Sequence, residues 1–337
     1  MLPVVAVGSL VLSACVTTPG QADPSGTDDT GNAGGTVIVS GSSTVEPITS
    51  LAAEDYSAQA SGFNFQVDGP GTGDGFALFC DGETDISDAS RTIKDEEAAT
   101  CADNGITYVE LKIGIDGISV ITSTANDAVS CLSFLDLYAL LGPESQGFDN
   151  WTDAGDLADD LTAELGDEFG TANAPYPDAT LEVTAPGEES GTYDSFLELV
   201  FTKIAAARGT DAVARADYTA SADDNVIVEG ISGTDTSLGW VGFAFFEENT
   251  DVIKALEVDG GDGCVAPTTE TIASNEYPVS RDLYIYVNTD RAASNPAVAG
   301  FVDFYLSDEG IALVEEAGYV GLAADVLDET RAAWEGR

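Results

Sequence analysis

Three short turns in this sequence bring hydroxyls and free backbone amides to the start of a helix. The first, Gly41-Ser42-Ser43-Thr44, follows a β-branched run at 36–40. It precedes Val45, Ile48, Leu51, Ala52 and Tyr56, whose spacing predicts a helix ending before Gly62. The second, Gly69-Pro70-Gly71-Thr72-Gly73-Asp74-Gly75, lies between a predicted strand at 63–67 and a short helix at 76–79. The third, Pro186-Gly187-Glu188-Glu189-Ser190-Gly191-Thr192, opens an amphipathic pattern through Tyr193, Phe196, Leu197, Leu199, Val200 and Ile204. Unpaired N–H groups and the helix dipole favour an anion at such turns, and Ser and Thr hydroxyls add donors. A single turn of this kind is usually an ordinary N-cap. Three of them in one chain, Ser43-Thr44, Thr72-Gly73 and Ser190-Gly191-Thr192, point instead to an anion-binding site. The Gly71 to Gly75 run does not have dinucleotide-binding spacing.

Cations are scarce, so their positions matter. Arg91 closes the segment Asp85-Ile86-Ser87-Asp88-Ala89-Ser90-Arg91, just past a predicted strand at 84–87 and beside Ser90. A guanidinium there can grip an oxyanion with two parallel donors. The competing reading is an ion pair with Asp88 or Asp95. Arg281 reads as a structural partner for neighbouring acids, and the Gly239-Trp240-Val241-Gly242-Phe243-Ala244-Phe245 run as core.

The elements that must position these residues repeat as strand, turn and helix, which implies an α/β fold with mixed, mainly parallel sheets. Two long strands, at 108–121 and 279–287, bracket a middle block with its own strands and helices, and a helical stretch at 296–317 returns to the first block. Two lobes crossed twice by the chain account for this order: 36–116 with 278–337, and 117–277. The 337 residues are 44% hydrophobic, enough for a full core. Sixty acids against 11 Lys and Arg give a net charge of −49. Such a surface repels nucleic acid and anionic lipid, and with only four lysines it suits a protein kept soluble in high salt. No histidine is present, which excludes Ser-His-Asp and Cys-His hydrolases and His-ligated zinc or haem. No cofactor or metal is expected.

An apolar run at 2–14, about half a bilayer in length, ends in Leu12-Ser13-Ala14-Cys15. Residues 1–15 read as an export signal ending at Cys15, and 16–35 as a flexible polar tether. The remaining Cys80, Cys101, Cys131 and Cys264 are an even set in an exported chain. Three pairings are possible. Cys80–Cys101 with Cys131–Cys264 is expected, because each bridge then stays within one lobe; chain-entropy reasoning gives them about 3 and 4–5 kcal/mol.

Taken together, Gly41-Ser42-Ser43-Thr44-Val45, Gly71-Thr72-Gly73-Asp74-Gly75-Phe76, the Asp85 to Arg91 segment, Ser190-Gly191-Thr192-Tyr193-Asp194 and Tyr277-Pro278-Val279-Ser280-Arg281 resemble the signature segments of PstS-type phosphate-binding lipoproteins. The likeness runs in order from about residue 36 to residue 320, and Leu12 to Cys15 resembles a lipobox. It implies a type II periplasmic-binding fold, phosphate held in an inter-lobe cleft, a lipidated Cys15 and delivery to the permease subunits of an ABC importer. It also implies Ser43, Thr44, Thr72, Ser90, Arg91, Ser190, Gly191 and Thr192 as the phosphate-binding set. Ser90 stands where many members have an acceptor aspartate, and 186–189 replace an arginine common before Ser-Gly-Thr; Arg91 is the candidate replacement charge. Asp88, Glu188 and Asp194 are then the candidates for the carboxylate that accepts the phosphate proton.

The expected function is an extracytoplasmic, lipid-anchored receptor, acting as a monomer without catalysis. The alternatives are the same fold carrying sulfate or molybdate, and a secreted hydrolase. The missing histidine and the absence of a clustered Asp-rich motif count against a phosphohydrolase, while abundant acids leave a carboxylate-pair glycosidase formally open.

Overall fold

The computed structural model describes residues 34–188 and 190–337. The signal, lipidation and most of the tether readings, at 1–33, lie outside the described residues. The first strand, β1 (Gly35–Gly41), begins one residue inside the span read as tether.

The N-terminal block alternates strand and helix: β1, α1 (Glu46–Gln59), β2 (Phe63–Asp68), α2 (Thr72–Cys80), β3 (Ile86–Ala89) and α3 (Asp95–Asp103). Parallel β2 and β3 flank β1, so the strand ends feeding both helices lie side by side. Then comes the long β4 (Tyr108–Ser123), which is buried from Ile113 to its end. The middle block adds β5 (Cys131–Ser133), β6 (Thr184–Pro186), β7 (Thr219–Ser221), β8 (Gly239–Gly242), β9 (Ile253–Ala255), β10 (Glu257–Asp259) and β11 (Cys264–Val265). The second long strand, β12 (Ser280–Asn288), leads into the helices Pro296–Tyr305, Asp308–Glu316 and Ala324–Glu335.

The largest sheet has the order β2-β1-β3-β12-β4-β8, with β9 also on β4. Strand β4 pairs antiparallel with β12 from Tyr108 to Gly117, and then with β8 and β9 from Ile118 to Ser123. One strand therefore belongs to both blocks. Parallel pairing dominates in β2-β1-β3 and gives way where the crossing strands enter, because β12 must run back against β3 and β4. The small sheets are β11-β10-β5 and β6-β7.

Two large cores form on either side of the crossing. One gathers Val37, Val39, Ile48, Leu111, Ile285, Phe301 and Val314. The other gathers Leu137, Trp151, Phe196, Phe201 and Trp240, where Phe196 stacks on Trp240 with ring centroids 4.4 Å apart. Cys80–Cys101 ties α2 to α3, and Cys131–Cys264 ties β5 to β11. These are the two expected bridges.

Candidate functional site

The hydroxyl turns of the N-terminal block converge because their strands are adjacent. Gly41, at the end of β1, pairs with Asp88 of β3, and a Cβ on Gly41 would lie 2.0 Å from the Asp88 carbonyl oxygen. A Cβ on Gly75 would lie 2.4 Å from the Gly41 Cα. Glycine at both places lets the two turns touch. The Gly71 amide donates to the Gly41 carbonyl at 2.8 Å, and Gly71 itself turns with φ 114°. That turn starts α2 at Thr72, four residues before the predicted helix.

Inside the first turn, the Val45 and Glu46 amides donate to the Ser42 carbonyl at 3.1 and 2.9 Å, and the Thr44 amide donates to Ser42 Oγ at 3.2 Å. Thr72 Oγ1 lies 3.1 Å from Ser90 Oγ and accepts from the Ser90 amide at 3.2 Å. These two sequence-predicted residues therefore meet directly.

The third turn approaches from the middle block. A Cβ on Gly191 would sit 3.6 Å from the Ser43 carbonyl oxygen. Ser190 caps the helix Gly191–Phe196, its Oγ accepting from the Thr192 amide at 3.2 Å, so its hydroxyl does the work of an N-cap. Thr192 lies further out, on a neighbouring acidic cavity with Asp116, Asp224, Glu248 and Glu315. After Phe196 the helix widens to a π-helical stretch, Leu197–Phe201. Such interruptions re-aim side chains, and Ser195 and Glu198, three residues apart, face the first turn together.

A cavity of about 290 Å³ lies between these turns, lined by Ser42, Ser43, Thr44, Gly71, Thr72, Gly73, Ser90, Arg91, Lys94, Asp194, Glu198 and Arg281. Five of the eight predicted binding residues line it: Ser43, Thr44, Thr72, Ser90 and Arg91. Sequence reading missed Ser42, Lys94, Glu198 and the role of Arg281. The rarity of lysine was the available signal for Lys94; nothing local pointed to Glu198.

The two arginines are held differently. Arg91 forks onto Glu97, with Nη1 and Nη2 donating at 2.8 and 2.7 Å, and lies over the Phe76 ring at 5.4 Å. Its ion-pair partner is thus Glu97, not Asp88 or Asp95, because α3 begins at Asp95 and its first turn presents Glu97 across the gap. Arg281 pairs with acids as expected, reaching Asp116 at 3.4 Å and Glu198 at 2.5 Å. It also does something the sequence did not suggest: Nη2 donates to Thr44 Oγ1 at 2.9 Å and to Ser195 Oγ at 2.6 Å.

Of the three candidate acceptor carboxylates, only Asp194 lines the cavity. Burial raises its pKa, while the Arg281 charge pulls it down. Glu188 is exposed and lines no cavity described. Asp88 is fully buried behind the turn, its Oδ1 accepting from Thr49 Oγ1 at 3.0 Å. Burial pushes its pKa up to about 8, against the Thr49 hydrogen bond and with a further push from Glu46.

The cavity thus offers hydroxyl and amide donors, three cations and two carboxylates. Donors and cations suit the bare oxygens of a tetrahedral oxyanion, and a carboxylate can accept a hydrogen bond only from an oxygen that still carries a proton. A larger cavity of about 470 Å³, near Gly147 and Asp217, is a poorer candidate. Its one arginine, Arg215, is already occupied by Asp217 and the Phe148 carbonyl.

Comparison with known proteins gives matches over most of the chain. A domain family described as the PBP superfamily domain matches residues 26–309. Protein SphX of Synechocystis sp. is 36% identical over 320 residues, covering 95% of this chain and 84% of the relative. The phosphate-binding protein PstS of Staphylococcus saprophyticus is 33% identical over 317 residues, covering 93% and 86%. A crystal structure of a possible phosphate-binding protein from Planctomyces limnophilus superposes with a TM-score of 0.79 at 33% identity, over 90% of this chain and 99% of that one.

Proposed function

We infer the function from the family together with the site: the chain belongs to the PBP superfamily, among the PstS-type phosphate-binding proteins, and we propose that it is an extracytoplasmic receptor that binds inorganic phosphate and hands it to the permease of an ABC importer. One observation carries the reading. In a chain of net charge −49, three of only eleven cations, Arg91, Lys94 and Arg281, line a single hydroxyl-ringed cavity. Cations gathered with hydroxyl and amide donors in one cavity favour a bound dianion there.

The proposed ligand set is Ser43, Thr44, Thr72, Ser90 and Arg91, which line the cavity, joined on closure by the Ser190-Gly191-Thr192 turn, which lies outside that lining. Two lobes, 36–116 with 278–337 and 117–277, close on it; the separate cores support that division. Each disulfide lies within one of these lobes and leaves closure free. Asp194, which lines the cavity, is the proposed acceptor of the hydrogen phosphate proton, and fully ionised sulfate, which has no proton to give, would be disfavoured there. Receptor rather than enzyme is the reading that fits family and site together. Cys15 is the proposed lipid attachment point, and no helix among the described residues is long and apolar enough to cross a membrane.

Calorimetric titration of the purified protein with phosphate, with sulfate and molybdate as competitors, tests the assignment. One phosphate per chain is expected, undisturbed by excess sulfate. Preference for sulfate or molybdate would move the chain to another oxyanion, and no binding of any of them would remove the receptor reading.

A further inference from the structure

Arg281 stands at the junction of everything the site uses. It lies on β12, one of the two crossing strands, and its side chain is only 9% exposed. The Nε edge faces Asp116 of the other crossing strand, itself buried. Nη2 is shared between Thr44, in the first hydroxyl turn, and Ser195, on the helix that follows the third. Nη1 goes to Glu198 at 2.5 Å. Thr44 Oγ1 and Ser195 Oγ are themselves 3.1 Å apart. One guanidinium thus links both crossing strands, the first turn and the helix opposite.

Its two carboxylate partners differ in kind. Asp116 is 6% exposed, so leaving it unpaired would strand a buried charge, and it stays with Arg281. Glu198 is 54% exposed and can swing into water at little cost. Both Glu198 and Arg281 line the anion cavity. An anion entering that cavity meets a guanidinium whose Nη1 is already held by Glu198, and that edge cannot serve two anions at full strength.

Building on the phosphate reading above, we propose that Arg281 is the principal cationic ligand of the bound anion and that Glu198 is a built-in carboxylate competitor that the anion displaces. Arg91, with its fork occupied by Glu97, is the weaker contributor. Glu198 then lowers affinity directly and keeps the buried guanidinium paired until the anion arrives. Exchange of one carboxylate for one oxyanion leaves the number of charged hydrogen bonds on Arg281 unchanged, so Glu198 subtracts from the affinity that the guanidinium supplies together with the surrounding hydroxyl and amide donors.

The test is phosphate titration of the parent, Arg281→Ala, Arg281→Lys, Glu198→Gln and the Arg281→Ala/Glu198→Gln double variant at fixed salt, with thermal unfolding in parallel. Expected are a roughly 100-fold loss for Arg281→Ala and roughly tenfold tighter binding for Glu198→Gln. In the Arg281→Ala background the gain from Glu198→Gln should vanish. A loss under threefold for Arg281→Ala overturns the inference while leaving phosphate binding intact. A Glu198 gain undiminished without Arg281 also overturns it, since Glu198 would then act only by general repulsion. If Arg281→Ala does not fold, Arg281→Lys decides: about tenfold weaker binding supports the forked contact, and parental affinity refutes it. A parent that binds no phosphate removes the functional reading and this inference with it.

Discussion

Asp88→Asn is a substitution that should stabilise this protein, and its effect should depend on pH in a defined way. Asp88 is fully buried on β3, with Oδ1 bonded to Thr49 and Oδ2 without a hydrogen-bond partner among the described residues. Thr49 passes the network on to the Tyr305 hydroxyl at 3.1 Å. Burial raises the folded pKa from the ordinary 3.8 to about 8, so at neutral pH the carboxyl is held protonated in the fold and ionised in the unfolded chain. The folded state then binds the extra proton, and stability falls as pH rises from about 4 toward 8. At about 1.4 kcal/mol per pH unit, the cost reaches roughly 4 kcal/mol at pH 7. Asparagine keeps the shape and the acceptor facing Thr49 and never ionises. Its amide nitrogen takes the unpartnered Oδ2 place, at a cost of about 1–3 kcal/mol. The net gain expected at pH 7 is about 1–3 kcal/mol, disappearing or reversing near pH 4. Urea unfolding of both proteins at fixed ionic strength, from pH 4 to pH 8, isolates the effect, because the other acids cancel in the difference. The difference should widen by about 1.4 kcal/mol per unit between pH 5 and pH 7. A difference that does not change with pH refutes the argument, and places an ionised or well-solvated Asp88 in the folded protein.

Other outcomes follow from the same geometry. Arg91→Ala should weaken phosphate binding by about 1–2 kcal/mol in a calorimetric titration, less than a free guanidinium would, because Glu97 already holds its fork; unchanged affinity would make Arg91 an ion-pair partner alone. Thr44→Val removes the hydroxyl shared with Arg281 and Ser195 and should cost about 1–3 kcal/mol of phosphate affinity; a smaller change would show that Thr44 positions nothing the ligand needs. Mild reductant should open Cys131–Cys264 before Cys80–Cys101, since Cys264 is exposed whereas Cys80 and Cys101 are 1% and 0% exposed. Differential alkylation read by mass spectrometry checks the order. Replacing both Cys131 and Cys264 by Ser should lower stability by about 2–5 kcal/mol in denaturant unfolding.

Much of the architecture was legible because the elements that carry it are long or strongly patterned. The β-branched β1, the helical spacing of α1 and the two crossing strands all lie within one or two residues of their expected positions. Errors fell where a side chain replaces a backbone partner. Strand β3 starts two residues later than expected: the Asp85 amide still donates to the Ile38 carbonyl at 2.9 Å, but the Ile38 amide is taken by the Asp85 carboxylate, so no earlier backbone carbonyl pairs with it. The helical stretch expected over 296–317 is helical, as two helices divided where Ser307 caps the second by accepting from the Gly310 amide. The Ser307-Asp308-Glu309 run is the start signal of the second helix.

For the site, local chemistry found the hydroxyl turns and Arg91 but not what completes them. Thr44 and Arg281 are 237 residues apart in sequence and meet only because β12 returns across both blocks. The same return hid Glu198, an unremarkable acid among sixty until the π-helical turn aims it at a guanidinium. Tertiary placement, not composition, decides which of so many carboxylates matters.

In the proposed complex one tetrahedral oxyanion sits between the turn at Ser42 to Thr44, Thr72 and the Ser190-Gly191-Thr192 turn, within reach of Arg281. A crystal of the full protein grown with arsenate, whose anomalous scattering locates the anion directly, tests this most simply. A single strong peak is expected in the cavity of about 290 Å³ within hydrogen-bonding distance of Thr44 Oγ1, and phosphate added in excess should remove it. A peak at the Arg215 cavity instead, or one in the predicted place that phosphate does not displace, contradicts it.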